Sequence, residues 1–204
     1  MKLYYFPGSC ALAPHVVLQW LGVDFEAVRV RRGDPEYLEI NPLGVVPALE
    51  AGGRLYTQAD AILHWLSQSH PEARLGGDGT PDSDYVLNEW MAFFTGDLHP
   101  AFFPFFAPQR YSTDHSEMSL AAVKAAAEAR VAHYYRHLNQ HLQDREFVVG
   151  SRRSVADAYA IPMLRWGRLL EKPISAYPAL ESFLTRWESD AGVHAAMKAQ
   201  GLIK

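Results

Sequence analysis

Lys2-Leu3-Tyr4-Tyr5-Phe6-Pro7-Gly8-Ser9-Cys10 reads as a β-prone run stopped by a Pro-Gly turn, and it ends on the only cysteine of the chain. The residues after it fit a helix with Val16, Val17, Trp20 and Leu21 on one stripe, closed by Gly22. Strand, turn and helix in that order set Cys10 at or beside the amino end of the first helix, where unpaired amides and the helix dipole favour an anion. The position therefore predicts a thiolate-prone cysteine. The alternative is an inert buried thiol, the commoner fate of a lone cysteine. With no second cysteine, a disulfide within the chain is excluded and any disulfide at Cys10 needs an external thiol.

Outward from this stretch, Phe25 to Val30 reads as a second strand, and Pro35 to Ile40 as a short helix that must stop before Pro42. Val45 to Glu50 and Arg54 to Tyr56 are β-prone runs on either side of Ala51-Gly52-Gly53, a hairpin signal. Thr57 to His70 is helical, with Ile62, Trp65, Leu66 and Ser69 in line. The order is βαβ, a helix, then ββα. Pro47 sits at the start of the first hairpin strand, where it removes a ladder donor and leaves neighbouring backbone groups for another chain to pair with. Thr57-Gln58-Ala59-Asp60 opens a helix whose free amides suit a carboxylate; the plain alternative is a helix cap with no ligand.

Pro71 to Ser83 holds three Gly and two Pro with few apolar residues, the composition of a connector. It divides the chain into domains at 1–76 and 82–204. Beyond it strand signals are absent. Leu87, Trp90, Met91, Phe94 and Leu98 recur at helical spacing, and Leu120, Val123, Ala127, Val131, Tyr134, Leu138 and Leu142 mark a long second helix. Ser154-Val155-Ala156-Asp157 has the form of a capping box and starts another helix, which Pro162 is expected to bend. The predicted fold is α/β followed by all-α.

The chain has 204 residues, 49% of them hydrophobic and 21% charged, which is ordinary globular usage. A net charge of -4 with scattered basic residues gives no general attraction for a phosphate backbone, so nucleic acid is excluded as a partner. No segment approaches the roughly twenty apolar residues of a membrane span; Ala101 to Phe106 is short and broken by Pro104. With no signal-peptide pattern and one cysteine, a cytoplasmic protein is expected. His133, His137 and His141 share a helix face at i, i+4, i+8, but a solvated surface is the preferred reading and no metal is expected. Phe93, Phe94, Phe102, Phe103, Phe105 and Phe106 either line a pocket for an apolar co-substrate or form core and dimer contacts.

Taken in order and spacing, Lys2 to Tyr5 with Pro7-Gly8-Ser9-Cys10 and Pro14-His15, Asn41 to Pro47, Asp60-Ala61-Ile62, Glu89-Trp90 and Ser154 to Tyr159 resemble the cytosolic glutathione transferases, and among them the bacterial cysteine-containing beta class. The resemblance spans essentially the whole chain. It implies a thioredoxin-like domain, an all-helical domain and a homodimer. Glutathione would lie along a cis-proline strand, bonded through the backbone of Val46, with a cis Val46–Pro47 bond. Ser9, Val46, Pro47, Gln58, Ala59 and Asp97 fall at its binding positions, Asp97 reaching a ligand across the dimer. Cys10 faces the glutathione sulfur, and His99 comes from the first long helix of the second domain. The expected activity is detoxifying conjugation of glutathione to apolar electrophiles, thiol–disulfide exchange or peroxide reduction, and a cysteine facing the sulfur favours the exchange and peroxide chemistry with modest conjugation beside it. The runner-up is a carrier of the same fold with weakened glutathione affinity. Its basis is three departures: Ala59 replaces a hydroxyl residue that holds the γ-glutamyl carboxylate, Ala92 an asparagine and Pro100 a lysine; Ala11 also stands where the family often has a hydroxyl residue.

Overall fold

In the computed structural model, which describes residues 1–204, the first seventy or so residues alternate strand and helix as read. They run β1 (Lys2–Tyr5), α1 (Leu12–Leu21), β2 (Glu26–Arg29), α2 (Pro35–Ile40), β3 (Ala48–Ala51), β4 (Arg54–Thr57) and α3 (Ala59–Ser69). The sheet order is β2-β1-β3-β4, with β1 parallel to β2 and antiparallel to β3, and β3 antiparallel to β4. This is the thioredoxin-like arrangement. Gly22 closes α1 as expected, in the left-handed conformation at φ 65° that a Cβ would disfavour.

The register decides where chemistry can gather. Tyr4 pairs with Ala48, and Ala48 with Thr57. The turn after β1, the segment before β3 and the start of α3 therefore leave the sheet at one end. Two expectations need correction here. The strand expected from Val45 begins at Ala48, and β3 lies between β1 and β4. The Val46 N–H is left without a partner because it precedes β3, a central strand. Thr57 closes β4, so α3 starts at Ala59, and its buried stripe is Ala59, Ile62, Leu63 and Leu66 while Ser69 is exposed.

The rest is helical: α4 (Pro81–Ala92), a wider π-type turn (Phe93–Leu98), α5 (His99–Phe106), α6 (Glu117–His141), α7 (Val155–Trp166), α8 (Pro178–Glu188) and α9 (Ala191–Ala199). Pro162 does not end α7, which continues to Trp166. At its start the buried Asp157 carboxyl accepts from the amides of Val148 (2.8 Å) and Ser154 (2.7 Å). The Ser154 hydroxyl also donates to it at 2.9 Å. Burial nonetheless pushes that carboxyl up to about 7. On α6 the fully buried tyrosine is Tyr135, which donates to Met163 O at 2.7 Å, rather than Tyr134. No helix is long and apolar enough to cross a membrane.

Sheet and helices share one core, in which Leu3, Leu12 and Leu49 are continuous with Leu164, Leu184 and Met197. Helix α1 is buried along Leu12–Leu18 because α3 packs on it within the first domain and α7 and α9 pack on it from the helical part. Polar stitches cross the same seam. Val155 N donates to Leu75 O at 2.9 Å, and Trp20 Nε1 to Asp190 at 2.8 Å.

Candidate active site

Cys10 stands just before α1, on a loop that closes on itself. Ser9 N and the Ser9 hydroxyl donate to Phe6 O, Ala11 N donates to Ser9 Oγ, and Leu12 N and Ala13 N donate to the carbonyls of Ser9 and Cys10. The first-turn amides are therefore largely spent on the loop. Cys10 is only 9% exposed, and its thiol donates to Val46 O across 3.4 Å. Burial pushes the thiol up to about 12, and the nearby amides of Cys10 and Ala11 recover only part of that rise. The expectation of a favoured thiolate is corrected: desolvation outweighs the helix terminus, and the free protein holds Cys10 as a neutral thiol.

Val46 and Pro47 face that thiol. The Val46–Pro47 bond is cis, Pro47 is buried and Val46 is half-buried. The approach is fixed by Val45 O, which accepts from Tyr37 Oη at 2.6 Å and from the buried Asn41 Nδ2 at 2.8 Å. Val46 N–H meets no acceptor within the chain, so an extended peptide can dock there with a donor and a carbonyl presented together.

Gln58, at the same end of the sheet, is exposed and has φ 70° and ψ 119°, a sparsely populated conformation that costs about 1–3 kcal/mol and clusters at binding sites. It turns the chain so that the amides of Ala59, Asp60 and Ala61 open α3 without partners one turn back. Ala59 is buried. Asp60 is half-buried with its carboxyl pushed up by burial, opposed by His64, whose Nε2 lies 3.5 Å away.

His99 is the first residue of α5. Its Nδ1 lies 3.2 Å from the hydroxyl of Tyr159, and its ring packs on Phe103 at 4.9 Å and Trp166 at 5.1 Å. Burial pushes the imidazole down to about 4, so it is neutral at pH 7. Tyr159, buried in α7, has its hydroxyl pushed well up, first by burial and next by the nearness of Cys10. The hydroxyl thus contacts the imidazole and is close enough to the thiol to feel its charge.

Of the residues expected at the site, Ser9, Cys10, Val46, Pro47, Gln58 and Ala59 meet at one end of the sheet, and His99 joins them through Tyr159. Asp97 does not. It accepts from Tyr134 Oη of α6 at 3.1 Å. Tyr159 and Trp166 are additions: the first stands in the Ser154–Tyr159 stretch, but no spacing rule ties it to a histidine sixty positions earlier. The phenylalanines divide, with Phe94 and Phe102 in the core and Phe103 and Phe106 exposed around His99 and Trp166. His137 and His141 pack against Trp90, and His141 Nε2 is engaged by Val148 O at 2.7 Å.

Two family models match, the glutathione S-transferase N-terminal domain over residues 3–74 and the glutathione S-transferase C-terminal domain over residues 96–190. A Xanthomonas campestris protein named glutathione S-transferase is 38% identical over 99% of this chain and 100% of its own. A solved beta-class glutathione S-transferase of Sphingomonas chungbukensis is 36% identical and superposes over 100% of both chains with a TM-score of 0.88. A sphingomonad glutathione S-transferase complexed with glutathione is 35% identical over 100% of both chains, with a TM-score of 0.87. In sequence over nearly its full length, and in fold over all of it, this chain belongs to the glutathione S-transferase family and is a transferase acting on glutathione.

Proposed function

We propose that glutathione lies along Val45–Pro47, with its cysteinyl backbone on the free Val46 N–H and its γ-glutamyl carboxylate at the opening amides of α3, where Gln58 and Ala59 stand. The observation that carries this is the 3.4 Å contact from Cys10 Sγ to Val46 O beside an unpaired Val46 N–H. A neutral Cys10 thiol is a hydrogen-bond donor. Moved from the Val46 carbonyl to a bound sulfur, it stabilises the glutathione anion, while Ser9 holds the loop. Conjugation is then the leading activity: the anionic sulfur forms a bond to an apolar electrophile as the leaving group departs. Phe103, Phe106 and Trp166 offer the electrophile an aromatic wall next to His99. Thiol–disulfide exchange or peroxide reduction needs the Cys10 anion, which burial opposes.

Assembly as a homodimer, with Asp97 reaching across it, a cytoplasmic location, a role in detoxification and the 1–76 and 82–204 domain limits belong to the same proposal and are supported by the resemblance. The carrier reading is not favoured, because the full-length relatives are named as transferases. The test is turnover of 1-chloro-2,4-dinitrobenzene with glutathione, together with whole-protein mass spectrometry after incubation with oxidised glutathione. Saturable conjugation supports the proposal. A Cys10 adduct formed at pH 7 without conjugation reverses the order of the two activities.

A further inference from the structure

The loop that carries Cys10 is also held from outside, by a residue far along the chain. Gln200 follows α9, is 4% exposed, and is among the few buried polar side chains. Its Oε1 accepts from Gly8 N at 3.0 Å, while Trp166 Nε1 donates to Gly8 O at 2.7 Å. Both backbone groups of one residue are therefore clamped, and that residue has φ 71°, a conformation glycine adopts without a Cβ penalty. The amide orientation of Gln200 follows from the same contacts. Its oxygen must face the Gly8 N–H, so its nitrogen faces His15 Nδ1, 3.2 Å away, and His15 must accept. Tyr5 Oη adds a bond to Ala199 O at 3.3 Å, tying β1 to the same corner. The Ser9 and Phe6 bonds fix the loop's internal shape, but Gly8 carries its two bonds to the helical part.

We propose that Gln200 is a positioning residue for Cys10: with Trp166 it clamps Gly8 and thereby fixes where the thiol sits against Val46. The inference rests on Cys10 being part of the site, and its primary readout does not require glutathione. Gln200→Met keeps the length but removes the acceptor, which leaves the Gly8 amide and His15 Nδ1 unpaired in the interior. Gln200→Glu keeps an acceptor for Gly8. Alkylation of Cys10 by iodoacetamide, measured well below the melting temperature, is expected to be at least about fivefold faster in Gln200→Met as the thiol loses its seal. Gln200→Glu stays within about twofold of the parent. In steady state with glutathione and 1-chloro-2,4-dinitrobenzene, Gln200→Met loses about fivefold in kcat with little change in KM, because the thiol is misplaced rather than the tripeptide unbound.

Lower melting with unchanged alkylation and kcat would make Gln200 a stability residue only and overturn the proposal. Equal changes in both variants would overturn it as well, since the Gly8 contact would not be the cause. If Gln200→Met does not fold, hydrogen exchange at Gly8 in the unaltered protein decides: slow exchange supports the clamp, and exchange as fast as an exposed turn refutes it. If the unaltered protein turns over no glutathione, the functional reading fails while the alkylation comparison still stands or falls alone.

Discussion

Alkylation of Cys10 across pH is the sharpest probe of the site. Burial moves the thiol from 9.0 to about 12, so at any pH below 9 the thiolate population is about a thousandfold smaller than for an unperturbed thiol. A more basic thiolate is also a better nucleophile; with a Brønsted slope near 0.45, three units return about twentyfold. The net expectation is a rate with iodoacetamide about fiftyfold below that of a small-molecule thiol of ordinary pKa at pH 7.5, before any loss from restricted access. The rate should climb tenfold per pH unit through pH 10 without a plateau. The assay is mass spectrometry of the intact protein in timed samples, simplified by the absence of any other cysteine. A plateau with a midpoint below 9 would refute the reasoning, because it would mean the amides at the start of α1 outweigh desolvation.

Ala59→Ser adds a hydroxyl at the first residue of α3 and should tighten glutathione by about 1.5–3 kcal/mol, roughly ten- to a hundredfold, by titration calorimetry; an unchanged affinity would show that the carboxylate lies elsewhere. Tyr159→Phe removes the partner of His99 Nδ1 and should lower kcat about fivefold with KM for glutathione unchanged, with a shift confined to KM counting against the pairing. His15, pushed from 6.5 down to about 4 by burial, is neutral in the fold and charged when unfolded between those values. It therefore withdraws about 3 kcal/mol of stability as the pH falls through that window, none of it above pH 7. Nitrogen NMR of the ring checks this directly, and a midpoint near 6.5 would contradict it. Asp157, pushed up from 3.8 to about 7, has the opposite sign over pH 4 to 7, so the ring itself and not the melting curve is the proper readout.

Much of the architecture was legible because punctuation carried it. Pro7-Gly8 and Gly22 bracket the first helix, Asn41-Pro42 ends the second, and Gly52-Gly53 make the hairpin. These are local constraints on φ, and local sequence states them. That Cys10 and Val46 share a site was legible only through the family resemblance, and the strand order supplies its physical reason. The protonation of Cys10 was not legible, because the burial that raises the thiol comes from packing between segments distant in sequence. Tyr159 beside His99 escaped for the same reason: each is unremarkable in its own helix, and only the packing of α7 on α5 joins them. On α6, Tyr134 and Tyr135 both satisfy a helical stripe drawn from Val131, and the Met163 carbonyl that selects Tyr135 lies on another helix. That backbone next to Pro47 would be left for another chain was legible, but that the group is the Val46 N–H, just before a central strand, needed the pairing register.

The π-type turn between α4 and α5 sets the facing of the site's imidazole by counting. His99 N bonds to Phe94 O, five residues back, so the segment carries one more residue than a regular helix would over the same rise. Each extra residue rotates everything beyond it by about 100°. His99 and Phe103 consequently swing round toward α7, while Asp97, inside the turn, is left facing α6. A single-residue excision at Gly96, where a Cβ would touch nothing, would undo that rotation and carry His99 away from Tyr159 with no change in any side chain of the pocket. Whether a chain of this architecture has a histidine in its cleft is thus a matter of arithmetic in one helical turn as well as of which residue is written at position 99.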